Sequence, residues 1–207
     1  MEGDLAPQAD VLLNPARLWT RAEVLVRPCP VPREPGVYAW YFREIPPDVP
    51  TEGCRQAFGG TLLYAAISPK KPPSAQNLRS RIRYHYTGNA EGSTLRLTLG
   101  CLLERRLGIC LCRVGSGKRR TFADGEDRLS EWMAHNALVI WHPIAEPWIL
   151  EEHLIATLSL PLNLDQNRQH AFHARLSALR REAKDRANAS PVRSARPVSA
   201  RPNDADH

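Results

Sequence analysis

One candidate for a catalytic or metal-binding residue is a glutamate that lies inside the apolar stripe of a predicted helix. The run that begins at Pro147 reads as a helix, with proline at the favoured first turn. On a helical wheel Glu151 shares the apolar stripe, whereas Glu152 falls outside it; the stripe comprises Leu150, Leu154, Ile155 and Leu158. A carboxylate facing a core must be protonated, paired with a cation or bound to a metal ion. The helix alone favours neither a structural ion pair nor a functional role.

A basic pair on an earlier helix is the second candidate for chemistry. Arg81 and His85 are four residues apart, so they share one ridge at the border of a helix predicted from about Asn77 to Tyr86. Such a ridge can project from the edge of a core into a cleft, where an arginine suits phosphate groups. The alternatives are a solvated basic helix surface and a histidine buried in the core.

The elements that must position these residues alternate between strand-like and helix-like runs. Gly36 to Phe42 (GVYAWYF) and Thr61 to Ile67 (TLLYAAI) are apolar runs of strand length, compatible with antiparallel neighbours joined by an insertion. Further helices are predicted at about 94–106, 126–136 and 147–158, and further strands at 109–114 and 138–142. The mixture predicts an α+β fold.

Five short motifs in this order resemble those of the GIY-YIG nuclease superfamily. Gly36-Val37-Tyr38 and Tyr64-Ala65-Ala66 are similar to the two strand motifs that name the family, and the helix of Arg81 and His85 resembles its arginine helix. Glu151 matches the glutamate of a later helix, and Pro161-Leu162-Asn163 resembles the Pro-x-Asn that follows it. The resemblance covers roughly residues 35 to 165, and isolated bacterial domains of the superfamily are the most similar in character.

This resemblance implies a fold and a set of site residues. The implied fold is α+β, a small central antiparallel three-stranded sheet flanked by helices, with extra helices and disordered termini. The implied activity is hydrolysis of phosphodiester bonds in DNA, with Mg²⁺ (or Mn²⁺) held by Glu151, because Mg²⁺ suits one carboxylate and several waters. The implied catalytic residues are Tyr38, Tyr64, Arg81, His85, Glu151 and Asn163.

Each implied residue has a role in that reaction. Arg81 would hold the nonbridging phosphate oxygens, and Tyr38 would orient or deprotonate the attacking water. Tyr64 would support that network, with His85 as an auxiliary proton acceptor. Asn163 would anchor the glutamate loop or touch the substrate, and anchoring is the preferred interpretation.

Some features of the sequence depart from the family pattern and leave two other hypotheses open. Ala66 stands where the family's second motif has glycine, and the loops 43–60 and 68–76 are long. A nucleic-acid-binding module of the same fold with impaired catalysis is therefore the alternative function. A third hypothesis is an interaction protein in which Glu151 and Arg81 form a structural ion pair.

The composition of the chain indicates the kind of partner that it can bind. The 28 Lys and Arg against 22 Asp and Glu give a net charge of +6, which suits a polyanionic partner such as DNA. Part of that excess lies in residues 180–201.

The five cysteines have no paired CxxC spacing, so reduced thiols are expected. No signal peptide or membrane span is predicted, and the cytoplasm is the expected location.

The predicted domain plan has four parts. Residues 1–34 are a Pro-rich segment without a fixed fold, and 35–165 form the catalytic domain. Residues 166–186 form a C-terminal helix, whose first half packs on the core, and 187–207 form a disordered basic tail.

Overall fold

An antiparallel sheet at the centre of the protein positions every motif. The structure, a computed structural model, describes residues 5–71 and 74–193. The sheet has the strand order β2 (Gln56–Ala57), β3 (Gly60–Ser68), β1 (Gly36–Phe42) and β6 (Ala137–Pro143), so the predicted three-stranded sheet gains the two-residue edge strand β2. In chain order the elements are α1 (Leu5–Leu13), α2 (Arg21–Leu25), β1 (Gly36–Phe42), β2 (Gln56–Ala57), β3 (Gly60–Ser68), α3 (Leu78–Thr87), α4 (Thr94–Leu102), α5 (Glu104–Leu107), β4 (Cys112–Val114), β5 (Arg119–Thr121), α6 (Gly125–Asn136), β6 (Ala137–Pro143), α7 (Pro147–Thr157) and α8 (His173–Ala189). The predicted α+β class is confirmed.

Both faces of the sheet are covered, which explains why β1 and β3 read as unbroken apolar runs. Successive side chains of a strand point to opposite faces. Tyr38 and Trp40 of β1 belong to the larger of two hydrophobic clusters, with residues of α3, α4, α6 and α8. Ala39 and Tyr41 belong to the second cluster, with residues of α1 and α7. Every residue of β1 and β3 is buried as a result.

The N-terminal segment is folded, so the prediction that it lacks a fixed fold is wrong for residues 5–34. Trp19 and Val139 exchange two backbone hydrogen bonds of 2.9 Å at the outer edge of β6. Leu12 and Val24 are fully buried, one in each hydrophobic cluster. The prolines interrupt the periodicity of this segment, but its separate apolar side chains still reach the core and stabilise it.

The C-terminal helix differs from its predicted bounds. It begins at His173 rather than 166, and it continues to Ala189, so residues 187–189 of the predicted disordered tail are helical. Leu176 in the first half of the helix is buried against the core, as predicted, but Ala183 and Ala187 in the second half are buried too, so packing extends along the whole helix. Residues 194–207 of the predicted tail lie outside the described part of the chain.

The predicted helix 94–106 is two helices, and a buried ion pair fixes the loop before them. Arg96 of α4 is fully buried and binds Glu126 of α6 across 2.6 Å. The other oxygen of Glu126 accepts a 2.8 Å hydrogen bond from the backbone N–H of Ala90. This pairing compensates the buried charges and holds the loop that carries Ser93, the N-cap of α4.

The cysteines and the lengths of the helices relate to two further predictions, that the thiols are reduced and that no helix spans a membrane. All five cysteines are free thiols in the structure. Among residues 5–71 and 74–193, no helix has the length and apolar character needed to cross a membrane.

Candidate active site

A small cavity beside β3 brings three of the six predicted catalytic residues together. Its volume is about 190 Å³, and Tyr64, Glu151 and Asn163 contribute to its wall. Tyr38, Arg81 and His85 are not among its lining residues within the described chain. The other lining residues are Ala66, Lys70, Lys71, Thr94, Thr98, Trp148, Ile155, Leu162, Leu164, Asp165, Gln166 and Arg180.

Glu151 presents a desolvated carboxyl group to this cavity. It lies on α7 next to the buried Leu150, as the helical wheel predicts, and it is itself partly buried. Burial raises its pKa to about 7, with the charge of Lys70 acting to lower the pKa and that of Asp165 acting to raise it. Within residues 5–71 and 74–193 it forms no ion pair, so the hypothesis of a structural pair with Arg81 is wrong.

Asn163 anchors the loop after α7 to the free edge of β3. Its side-chain oxygen accepts a 3.0 Å hydrogen bond from the N–H of Ala65, and its amide donates a 2.7 Å bond to the carbonyl of Ala65. Because β2 pairs only with Gly60 and Thr61, the same side of β3 has no strand partner at Ala65, and the asparagine amide satisfies both backbone groups of that residue. Leu162 extends the attachment through its N–H to the carbonyl of Leu63, at 3.0 Å. The loop therefore fixes the end of α7 relative to Tyr64.

Three hydrogen-bonded side chains pack behind Tyr64, whose ring centroid lies 6.5 Å from that of His85. The hydroxyl of Tyr38 and Nε2 of His85 are 2.8 Å apart, and Nδ1 of His85 is 2.7 Å from Oγ of Ser93. Both rings are fully buried. Burial lowers the pKa of His85 well below its ordinary value, helped by the charges of Arg81 and Arg96, and burial raises the pKa of Tyr38. The hydrogen-bonded network of Tyr38, His85 and Ser93 is therefore neutral at rest.

Arg81 lies beside these side chains, within hydrogen-bonding reach of Tyr38, and one of its donors has no partner among the described residues. Its Nη1 donates a 2.8 Å hydrogen bond to the carbonyl of Gly92. Its Nε is buried and has no hydrogen-bond partner in the described chain. A buried guanidinium donor without a partner is costly, and an anion brought into reach would satisfy it.

The two strand motifs meet across the β1–β3 pairing, where Tyr38 lies opposite Ala66. Gly36 is required for close packing, because a Cβ there would overlap the carbonyl oxygen of His142 and lie 2.7 Å from Cδ1 of Leu78. Ala66 is buried and its methyl group lies at the cavity wall. The departure from glycine at this position narrows the cavity without separating Tyr64 from Glu151.

Several residues of this site belong to none of the predicted motifs. Lys70, Asp165 and Arg180 line the cavity, and Ser93 contacts the histidine, but none belongs to a motif. Ser93 could have been noticed as the helix-starting serine before the run 94–106. Arg180 is separated from Asn163 by a turn-rich segment, so only the fold brings it to the cavity.

The comparison with protein families agrees with this arrangement. Residues 36–182 match the family model of the GIY-YIG catalytic domain. The match begins at β1 and ends within α8, so it includes that helix as far as Glu182. No curated protein and no solved structure matches the chain.

Proposed function

Because the chain belongs to the family of GIY-YIG catalytic domains, which are nuclease-type domains, we propose that it hydrolyses phosphodiester bonds in DNA with the help of one divalent metal ion. The observation that carries this proposal is Glu151, a desolvated carboxyl group without an ion-pair partner in the described chain, at the wall of a cavity shared with Tyr64. A buried, unpaired acid in a cleft is the kind of group that function retains at a cost in stability.

The donor set at this cavity fits Mg²⁺ or Mn²⁺. Carboxylate oxygens are the ligands these ions prefer, and Mg²⁺ commonly keeps several waters while binding one or two carboxylates. Glu151 would hold the ion, and no group of three His, Cys, Asp or Glu suited to a more enclosed site occurs in the described ranges. When bound, the ion supplies Lewis-acid stabilisation of the charge that develops on the phosphate.

The remaining residues divide the chemistry between charge stabilisation and proton handling. Arg81 would donate guanidinium N–H groups, among them the unpaired Nε–H, to the nonbridging oxygens of the phosphate. Tyr38 would orient the attacking water and accept its proton while passing its own proton to Nε2 of His85. This transfer requires the tautomer in which Nδ1–H donates to Ser93. Burial opposes a tyrosinate and, with the charges of Arg81 and Arg96, also a protonated His85, so the two proton movements would be concerted and His85 would serve only as an auxiliary acceptor.

Replacing Tyr38 with phenylalanine is expected to slow cleavage by about 100-fold, the lower end of what general acid–base catalysis contributes. The variant keeps the ring and loses only the hydroxyl that binds His85. The measurement is the single-turnover cleavage rate of a labelled duplex, together with duplex affinity. Tyr41→Phe is the matched control, because its buried hydroxyl binds the carbonyl of Leu12 on the opposite face of β1. Equal slowing in both variants would reduce Tyr38 to a structural role.

Metal binding is expected to depend on pH through Glu151. Between its ordinary pKa of 4.5 and about 7, the folded metal-free protein retains a proton that the unfolded chain releases, so its stability falls as pH rises. A metal ion must displace that proton, and its affinity rises with pH up to about 7. We expect Mg²⁺ to raise the melting temperature at about pH 8 and much less at about pH 5.5. If Mg²⁺ raised the melting temperature of Glu151→Gln with the same pH dependence, the assignment of Glu151 as the metal ligand would be contradicted.

The substrate is tested by incubating the purified protein with labelled duplex DNA, single-stranded DNA and RNA of one sequence, with Mg²⁺, Mn²⁺ or a chelator. The proposal predicts metal-dependent cleavage of DNA. Cleavage of RNA alone would overturn the choice of DNA.

A binding module of the same fold is the second candidate, favoured by the methyl group of Ala66 at the cavity wall. That function predicts salt-sensitive binding of the same nucleic acids without products in any metal. Metal-dependent products from the parent protein would exclude it.

A further inference from the structure

The active-site cavity adjoins a larger groove along one face of α8. The groove has a volume of about 950 Å³. The two cavities share a wall formed by Leu164, Asp165, Gln166 and Arg180. A ligand that extends from the groove into the cavity of Glu151 would therefore pass Arg180.

The charges of this groove are mostly uncompensated. Five basic side chains line it against the carboxylates of Asp165 and Asp185; they are Arg120, Arg168, Arg180, Arg181 and Lys184. None of the five forms an ion pair in the described chain, and Arg120 instead binds the neutral amide of Asn188 at 2.8 Å. This face of α8 thus presents a net positive surface to solvent.

The opposite face of the same helix shows a different arrangement. A second groove of about 1070 Å³ lies there, with Arg105, Arg106, Arg175 and Arg186 in its wall. Three of these four arginines form ion pairs: Arg106 with Glu44, Arg175 with Asp48 at 2.6 Å, and Arg186 with Glu104. The basic side chains on one face of α8 are therefore mostly paired with carboxylates, whereas those on the face next to the cavity form no ion pairs among the described residues.

Arg180 is the residue that joins the two cavities. It is partly buried, and it has no hydrogen bond or ion pair with any described residue. Burial lowers the pKa of Arg180, and the nearby charge of Asp165 offsets that cost only in part, so the buried cation reduces stability. An anionic ligand in the groove would supply the missing partner, and an arginine can bind a phosphate through two parallel hydrogen bonds.

We propose that the face of α8 formed by Arg180, Arg181 and Lys184 is the track on which the sugar–phosphate backbone of DNA approaches the cavity, with Arg180 contacting a phosphate beside the one that is cut. This inference rests on the proposed nuclease function and deepens it. Arg181 and Lys184 lie on one stripe of the helix with Arg180, because residues three and four apart are neighbours. Arg168 and Arg120 flank that stripe in the groove wall.

The test measures binding of a fluorescent DNA duplex by anisotropy across about 50 to 200 mM salt. Every protein carries Glu151→Gln, so that the DNA stays intact when Mg²⁺ is present. The test variant replaces Arg180, Arg181 and Lys184 with glutamine. The charge-matched control replaces Arg105, Arg175 and Arg186, which line the opposite groove. A second pair of variants, Arg181→Gln/Lys184→Gln against Arg175→Gln/Arg186→Gln, alters only exposed side chains and guards against misfolding.

The track variant is expected to bind at least about tenfold more weakly, with a salt slope reduced by about two to three, because each lost phosphate contact removes about one unit. The control is expected to stay within about twofold of the parent. Equal weakening in both variants, or no weakening in either, would overturn the track.

Cleavage of plasmid by the protein with Glu151 intact separates the two claims. Cleavage by the parent with no effect of the track substitutions on binding overturns the track and leaves the nuclease in place. Binding that depends on α8 without cleavage in any metal supports the track and overturns the nuclease. Failure of the parent to bind or cut DNA at low salt overturns both.

Discussion

Replacing Glu151 with glutamine is expected to slow metal-dependent DNA cleavage by at least about 1000-fold, because the loss of about 4 kcal/mol of charge stabilisation corresponds to that factor. Glutamine keeps the shape of the side chain and removes the negative charge that would hold the metal ion. The variant should remain folded, since Glu151 has no ion-pair partner to abandon among the described residues. The measurement is the single-turnover cleavage rate of a labelled duplex at saturating Mg²⁺.

Glu152 provides the matched control for this substitution. It is the next residue of α7 and has the same side chain, but it is exposed and does not line the cavity. Glu152→Gln should therefore cleave at close to the parent rate. If the two substitutions slowed cleavage equally, the effect would belong to the charge of the helix surface and the assignment of Glu151 would be wrong.

Replacing Arg81 with lysine is expected to lower the cleavage rate by about 100- to 1000-fold, the loss typical of removing one donor from a site that stabilises developing charge. Lysine keeps the positive charge but lacks the planar fork that can hold Gly92 and a phosphate oxygen together. Duplex affinity should change much less than the rate, because the lost contact is strongest in the transition state. Both quantities are measured on the same duplex.

Arg83→Lys is the control for the arginine helix, because Arg83 lies on α3 two residues away and forms no hydrogen bond through its side chain with any described residue. It should leave the rate close to that of the parent. An Arg81→Lys protein that cleaves as fast as the parent would remove Arg81 from the chemistry and restrict it to fixing the carbonyl of Gly92.

The sequence predicted the elements whose signals are local. β1 and β3 are uninterrupted apolar runs, and α7 begins at the proline that favours a first helical turn, so their bounds agree with the structure to within a residue or two. The wheel of α7 likewise selected Glu151 over Glu152, and only Glu151 lines the cavity. The two tyrosines and Asn163 were found only through the family motifs.

Features that depend on distant contacts could not be predicted in this way. Trp19 forms a β-bridge with Val139, which lies far along the chain, and no local pattern in a proline-rich segment predicts that contact. Arg96 of α4 is fully buried, and its charge is compensated by Glu126 of α6, a partner 30 residues away that no local pattern identifies. Arg180 reaches the cavity only because α8 packs against the core. Sequence periodicity describes one element at a time, whereas these contacts arise between elements.

The measurement that tests the central claim most directly is the conversion of supercoiled plasmid to nicked circles by the purified protein, in Mg²⁺ and in a chelator, with Glu151→Gln prepared identically. We predict nicking by the parent in Mg²⁺ only, and none by the variant. Nicking that persists in the chelator, or that the variant performs at the parent rate, would contradict a metal-dependent nuclease centred on Glu151.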